Sequence, residues 1–229
     1  RYPLLKKNVV HKMKNWETEL YEKGFCHIPD QNKEELNLIL DELGNIINET
    51  DVIANSESKS LVTSDKFLDF HTDNHLAKYI VWFCNKQADE GGFSMLCDAE
   101  KVYAELDREE QEQLSKIHVY EHKLYPENRN SNPIVRETNG KRKFYYSFWL
   151  AREKYRQLPV FKKWRDLIQN ADHTKLRLEQ NDVLIIDNHR IFHGRTEIKG
   201  ERFLKRFWLN PNYTNSKFII NAKNSSTHS

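Results

Sequence analysis

Apolar residues fall at two different spacings along this chain, and the change comes near residue 61. Before it the spacing is helical. Residues 16–23 and 33–47 carry apolar positions three and four apart, with Leu36, Ile39, Leu40 and Leu43 on one stripe, which predicts two amphipathic helices. Between them, Gly24-Phe25-Cys26-His27-Ile28-Pro29 is a strand-like run stopped by proline. Residues 48–60 are mostly polar and are expected to form a loop. From residue 61 onward short β-type runs recur, at 79–85, 93–97, 117–124, 133–137, 143–148, 175–178, 183–187 and 202–209. Turn formers bound several of them, including Gly91-Gly92, Asn139-Gly140 and Asn181-Asp182. Asn139-Gly140 between two such runs is a hairpin signal. Helical inserts are expected at 99–116 and 158–171. Many short strands with these breaks predict a sandwich or barrel. The polar tail, 221–229, is expected to fray.

At 229 residues the chain fits a single domain, 1–229, able to bury a sizeable core. Residues 1–60 read as a helical N-terminal portion packed on the β part. Lys+Arg 36 nearly balances Asp+Glu 34, so the net charge of +2 gives no electrostatic case for nucleic acid or an anionic membrane surface. The cysteines, Cys26, Cys84 and Cys97, are scattered and form no Cys-x-x-Cys pair, as expected of free thiols in a reducing compartment and not of a disulfide frame or zinc site. The apolar run at 79–84 is far too short to span a bilayer, and the start shows no signal-peptide pattern. A cytoplasmic protein is expected, its oligomeric state left open.

The candidate chemistry begins at His71-Thr72-Asp73 and a distant His193. Residues i and i+2 of an extended strand point to the same side, so His71 and Asp73 can present two ligands to one metal. Alone the triplet is weak, since such a pair arises easily on a solvated surface. His193 follows the apolar strand 183–187 and is a plausible third ligand, although a core strand followed by a loop histidine needs no metal. Two imidazoles and a carboxylate form the facial triad of non-haem Fe(II) oxygenases. Arg202 and Arg206 narrow the reading. On one strand Arg202, Leu204, Arg206 and Trp208 face one side, and Phe203, Lys205, Phe207 and Leu209 the other. Both faces carry large apolar residues, so both are expected to be covered. Buried guanidinium groups each cost several kcal/mol, on the order of the buried-ion penalty, unless paired, and small carboxylates suit their planar fork. Gly91-Gly92 allows a close backbone approach, and Ser94 beside it supplies a hydroxyl. Tyr145, Ser147 and Trp149 share one strand face and line either a pocket or the core.

The order of these pieces resembles the taurine dioxygenase-like family of Fe(II)/2-oxoglutarate-dependent oxygenases, with its clavaminate-synthase-like fold. Glu22-Lys23-Gly24-Phe25 is similar to the family's N-terminal opening, and Phe70-His71-Thr72-Asp73-Asn74 to its His-x-Asp segment. Glu90-Gly91-Gly92-Phe93-Ser94, followed by Asp98, is similar to its Gly-Gly turn. Pro133-Ile134-Val135-Arg136 before Asn139-Gly140 is similar to its pre-hairpin strand. The block from Asn181-Asp182 through Asp187-Asn188 to His193-Gly194-Arg195 is similar to the family's last ligand segment, with Asn181 where glycine is usual, and the Arg202-x-x-x-Arg206 strand closes the series.

The resemblance implies a mainly β fold, a double-stranded β-helix or distorted jelly roll with flanking helices. It implies Fe(II), 2-oxoglutarate as co-substrate and O2, with His71, Asp73 and His193 as the metal ligands. It implies that Arg202, helped by Ser94, holds the distal carboxylate of 2-oxoglutarate. Arg206 then matches a position that reads an acidic group of the prime substrate, with an internal salt bridge as the structural alternative. Asp73 favours hydroxylation or desaturation, since halogenating relatives carry Gly or Ala there. The expected activity is oxidation of an unactivated C–H bond of a small carboxylate-bearing molecule, an amino acid free or carrier-bound. The other classes are an oxygenase acting on a protein residue, a non-catalytic β-barrel binding module, and a zinc hydrolase on the same three ligands, which would leave Arg202 unexplained.

Overall fold

The structure, a computed structural model, describes residues 16–58, 60–121 and 130–211. A helix over 16–23 (α1) leads into β1 (Phe25–Ile28), α2 (Lys33–Leu43), β2 (Asn45–Ile53), β3 (Leu68–His71), β4 (Tyr79–Lys86), β5 (Glu90–Gly91) and β6 (Ser94–Asp98). Two short helices follow, α3 (Ala99–Ala104) and α4 (Arg108–Ser115), then β7 (His118–Tyr120), β8 (Ser131–Pro133), β9 (Val135–Thr138) and β10 (Lys141–Phe144). A single 3-10 turn, Phe148–Leu150, precedes α5 (Glu153–Arg156) and α6 (Pro159–Asn170). The chain closes with β11 (Thr174–Leu176), β12 (Val183–Asp187), β13 (Ile191–Arg195), β14 (Ile198–Lys199) and β15 (Phe203–Asn210).

Two antiparallel sheets carry the architecture. The larger runs β1-β12-β4-β15-β2 and the smaller β11-β6-β13-β3. Non-consecutive strands are neighbours throughout, as a jelly roll requires. A core of Ile80, Leu184, Ile186, Leu204 and Trp208 from the larger sheet and Leu96 and Ile191 from the smaller lies between them. On the outer face of the larger sheet, α1 and α2 bury Trp16, Leu20, Leu36, Ile39, Leu40 and Leu43 against Val81, Phe83, Val183, Ile185, Phe207 and Leu209. The smaller sheet is covered by α3, α4 and α6, with Trp164, Phe161 and Phe144 packed on Phe192 and Met95. Alternation in β15 therefore reads as expected: Leu204 and Trp208 point between the sheets, Phe207 and Leu209 toward the helices.

Three expectations are corrected. Helix α2 stops at Leu43, and the segment expected to finish a helix and become a loop is instead β2, paired along its length with β15. Gly44 ends the helix at φ 133°, where a Cβ would stand 2.3 Å from the Asn210 carbonyl oxygen. Strand β2 is an edge strand with most of its side chains in water, so it lacks the apolar alternation of its neighbours. Second, strand β3 ends at His71, so Asp73 is not an i+2 strand neighbour but sits in the turn beyond. Third, the 143–148 run is a strand only to Phe144, and the 99–116 insert is two helices, the second capped by Asp107. The Asn139-Gly140 hairpin forms as expected, both residues at positive φ, between β9 and β10. Asn181 adopts φ 74°, the backbone a glycine would supply there. The tail 221–229 and part of the 117–124 run lie outside the described residues. No helix among the described residues is long and apolar enough to cross a membrane.

Gly44→Ala should lower stability by about 1–3 kcal/mol, the cost of forcing a side chain into a disallowed backbone region, visible as a lower urea midpoint with an unchanged slope. An unchanged midpoint would mean the α2–β2 junction relaxes freely.

Candidate active site

Strands β3 and β13 are antiparallel neighbours, and His71 and His193 are register partners across them. Directly opposed residues project from the same face of a sheet. The two imidazoles accordingly meet, with ring centroids 4.3 Å apart. Gly194 makes this approach possible, since a Cβ there would fall 2.7 Å from the Leu68 carbonyl oxygen, and the ladder shifts register just after His193. His71 Nδ1–H donates to the Asp69 carbonyl oxygen at 2.9 Å, which makes Nε2 the acceptor nitrogen. That Nε2 lies 3.9 Å from Asp73 Oδ1. Donor atoms of His71, Asp73 and His193 all lie within 4.8 Å of one another, and all three residues are buried. Two imidazoles and a carboxylate gathered this closely are a donor set suited to Fe(II).

Asp73 reaches this position through the turn after β12. The Asn188 side chain is 0% exposed. Its Oδ1 accepts from the Asp73 backbone N–H at 2.8 Å, and its Nδ2 donates to the carbonyl oxygens of Asn74 (3.1 Å) and Ala77 (2.9 Å). His189, next in sequence, donates from Nε2–H to the His75 carbonyl oxygen at 2.9 Å. On the other side the Tyr146 N–H donates to Thr72 Oγ1 at 3.0 Å, and the Thr72 N–H to the Tyr146 carbonyl oxygen at 2.7 Å. Asn188 belongs to the 181–195 motif, which by itself assigns it no task. Its place one residue past a buried strand end was the available signal.

Between the sheets lies a cavity lined by His71, His193, Ser94, Arg195, Arg202 and Arg206, with apolar walls from Leu68, Trp82, Leu96 and Leu204. Arg202 is 4% exposed. Among the described residues its side chain makes one hydrogen bond, from Nε–H to Gln87 Oε1 at 3.2 Å, and has no carboxylate partner. Burial, then the neighbouring charge of Arg195, pushes its pKa down to about 10. Gly92, at φ 65°, packs under this guanidinium, where a Cβ would come 3.3 Å from Arg202 Nε. Arg195 spends its Nη2 donors on the carbonyl oxygens of Ser64 and Lys66, both at 2.8 Å. Arg206 has an internal partner: Nη1 donates to Asp73 Oδ2 at 3.0 Å and Oδ1 at 3.2 Å. The salt-bridge alternative for Arg206 is thus present in the structure, although Arg206 also lines the cavity. Trp208 was missed from sequence, and it too reaches Asp73. Trp149 lies 5.0 Å, ring to ring, from His71, and Ser147 is paired with His71 in an isolated antiparallel bridge, whereas Tyr145 packs in the core and donates to the Tyr120 carbonyl oxygen.

A family model described as taurine catabolism dioxygenase TauD, TfdA family matches residues 9–208. The chain belongs to this dioxygenase family. Solved structures agree in fold. Asparagine oxygenase in complex with Fe(II), a 3-hydroxyasparagine and succinate superposes with a TM-score of 0.68 at 13% identity, over 86% of this chain and 78% of that one. The non-haem iron oxygenase OrfP with Fe and α-ketoglutaric acid gives 0.65 at 17% identity, over 90% and 82%. A taurine dioxygenase-like protein from Burkholderia xenovorans gives 0.68 at 14% identity, over 88% and 84%. No curated protein matches the chain by sequence.

In this TauD-family chain His189 is a buried neutral base, its pKa pushed down to about 4 chiefly by burial and then by the charge of Lys78. The sign follows directly. Below pH 6.5 an unfolded His189 takes up a proton that the folded protein refuses until about pH 4. Folding stability should therefore fall as pH drops through that window, by up to about 3 kcal/mol for a shift of this size. In His189→Gln, urea midpoints should decline less between pH 6.5 and 4.5 than in the parent. An identical decline would place the titration elsewhere.

Proposed function

We propose that this TauD-family protein is an Fe(II)- and 2-oxoglutarate-dependent dioxygenase that hydroxylates or desaturates an unactivated C–H bond of a small carboxylate-bearing substrate of the amino-acid kind. Arg202 is the observation that carries this reading. A guanidinium buried between two sheets with only a neutral amide as partner leaves its charge uncompensated, which costs several kcal/mol, on the order of the penalty for an unpaired buried ion. A carboxylate entering the cavity supplies the missing charge, and His71 and His193 line the same cavity, with Asp73 grouped beside them. A metal site alone would not need that arginine.

In this reading His71, Asp73 and His193 hold Fe(II), and Arg202 takes the distal carboxylate of 2-oxoglutarate with Ser94 beside it. The chemistry supplied by bound Fe(II) and 2-oxoglutarate is activation of O2, with conversion of the co-substrate to succinate and CO2. The chain's own contribution is position and dryness. Trp149 lies against His71 and Trp82 against His193, each with ring centroids 5.0 Å apart, so both imidazoles are screened by indole rings. Arg206 keeps donors beyond the Nη1 that serves Asp73, and its Nε–H is buried without a hydrogen-bond partner. We assign that side of the guanidinium to an acidic group of the substrate. The hydroxyasparagine and hydroxyarginine held by the asparagine oxygenase and OrfP structures support an amino-acid substrate. Three buried free thiols support a reducing cytoplasmic setting.

Two measurements test this. With Fe(II) the protein should consume 2-oxoglutarate and release succinate, and Asp73→Ala should abolish it; full turnover by that variant would sink the metal assignment. Arg202→Ala should raise the apparent KM for 2-oxoglutarate roughly a hundredfold or more, the equivalent of about 3 kcal/mol for a stranded buried carboxylate. Arg202→Lys should recover only part of this, since ammonium lacks the fork.

Among Arg206→Ala molecules that still bind Fe(II), slow, substrate-independent consumption of 2-oxoglutarate should persist, and stimulation by an amino-acid substrate found in a mass-shift screen should be lost. Stimulation retained at normal substrate KM would reject a substrate role and leave Arg206 as an internal ion-pair partner.

A further inference from the structure

Asp73 is the ligand with the most to lose by being mobile, because a carboxylate can bind a metal through one oxygen or two. Its two oxygens are not equivalent here. Oδ1 is turned toward His71, 3.9 Å from Nε2. Oδ2 is turned away and receives two donors: the indole N–H of Trp208 at 2.8 Å and Arg206 Nη1 at 3.0 Å. Both donors come from the inward face of β15, two residues apart, and the Arg206 guanidinium lies over the Trp208 ring, 5.0 Å from its centroid. All three side chains are buried. Strand β15 lies in the larger sheet, whereas His71 and His193 stand on the smaller one. The clamp is thus the point at which the far sheet reaches the ligand set.

We propose that Trp208, with Arg206 stacked on it, is a positioning residue that holds Asp73 Oδ2 away from the metal, so that Asp73 acts as a one-oxygen ligand through Oδ1. This rests on the metal-site reading above and extends it to how one ligand binds. An indole N–H suits the task because it donates without bringing charge. Arg206 alone would pull on both oxygens, since its Nη1 also stands 3.2 Å from Oδ1. The neutral donor breaks that symmetry. A one-oxygen Asp73 leaves an octahedral ion three open positions, whereas a two-oxygen Asp73 would take one of them.

The experiment uses Co(II) as the probe on the full chain. Trp208→Phe removes the N–H and keeps an aromatic ring. Calorimetric titration should show Co(II) affinity lower by roughly tenfold or more, the usual size of an outer-shell loss at a metal ligand. The Co(II) d–d bands should also shift, as a second carboxylate oxygen takes one of the open positions. A purely structural role for Trp208 would lower the thermal midpoint of the metal-free protein and leave affinity and spectrum of the folded fraction as in the parent; that result overturns the proposal. Should Trp208→Phe not fold, the parent protein labelled with 15N in its tryptophans decides the matter. On loading with Zn(II), the Trp208 indole N–H should stay protected from solvent exchange, and a switch to rapid exchange would show that the contact is given up when metal binds. His71→Ala serves as the control. If the parent takes up no Co(II), the metal-site reading itself fails and the clamp falls with it; if the parent binds and Trp208→Phe binds equally well with the same spectrum, only the clamp is lost.

Discussion

The arrangement depends on one buried amide. Asn188 sits where β12 ends, and its side chain makes three hydrogen bonds to the backbone of 73–77, the segment that follows β3. Without that tie the Asp73 turn would have to satisfy its own N–H and carbonyl groups away from water, at a cost of about 1–3 kcal/mol for each group left unmade. With it, a turn outside any strand acquires a fixed position relative to β12. The chain then turns directly into β13, which delivers His193 opposite His71. Asp73, placed by a turn, and His71 and His193, placed by strands, are therefore referred to the same short stretch of chain, 187–193. Lys78, paired with Asp187, closes the far side of this connection.

The cavity's electrostatics follow from where the arginines can and cannot find partners. Arg195 is met by two carbonyl oxygens and Arg206 by a carboxylate. Arg202 is met by neither, and Arg195 adds repulsion to its burial. A fold would not retain such a group for stability, because replacing a buried ion by an apolar side chain of similar volume is commonly neutral or favourable. An anion entering the cavity would complete this charge, which is the ground of the functional proposal. The same reasoning separates the arginines: Arg195 pins the 64–66 loop, Arg206 holds Asp73, and Arg202 is the one without a carbonyl or carboxylate partner among the described residues.

Much of this was legible from the chain. The β12 run, the parity of β15 and the Asn139-Gly140 hairpin each rest on local rules of burial or turn chemistry, and each appears in the structure. What misled was information carried by partners distant in sequence. Strand β2 has no alternation of its own because it is an edge, and it is a strand only by virtue of β15. Asp73 read as a strand residue because its spacing from His71 fits one, whereas its position comes from Asn188, 115 residues later. Trp208 read simply as an inward apolar residue, since nothing in a tryptophan's neighbourhood in sequence reports which acceptor its N–H will meet.

That last difficulty points to why the two sheets matter to the chemistry and not only to stability. The histidines belong to β3 and β13, the oxygen-holding donors to β15, and Arg202 precedes β15 on the same side of the cavity. A shift of one sheet against the other would leave each sheet's internal hydrogen bonds intact while changing the Asp73 contacts with Arg206 and Trp208. The core between the sheets, with Leu96 and Ile191 packed against Leu184, Leu204 and Trp208, resists such a shift by close packing. Trp208 belongs to that core through its ring and to the site through its N–H. Core packing and the position of the Asp73 carboxylate thereby meet in one side chain.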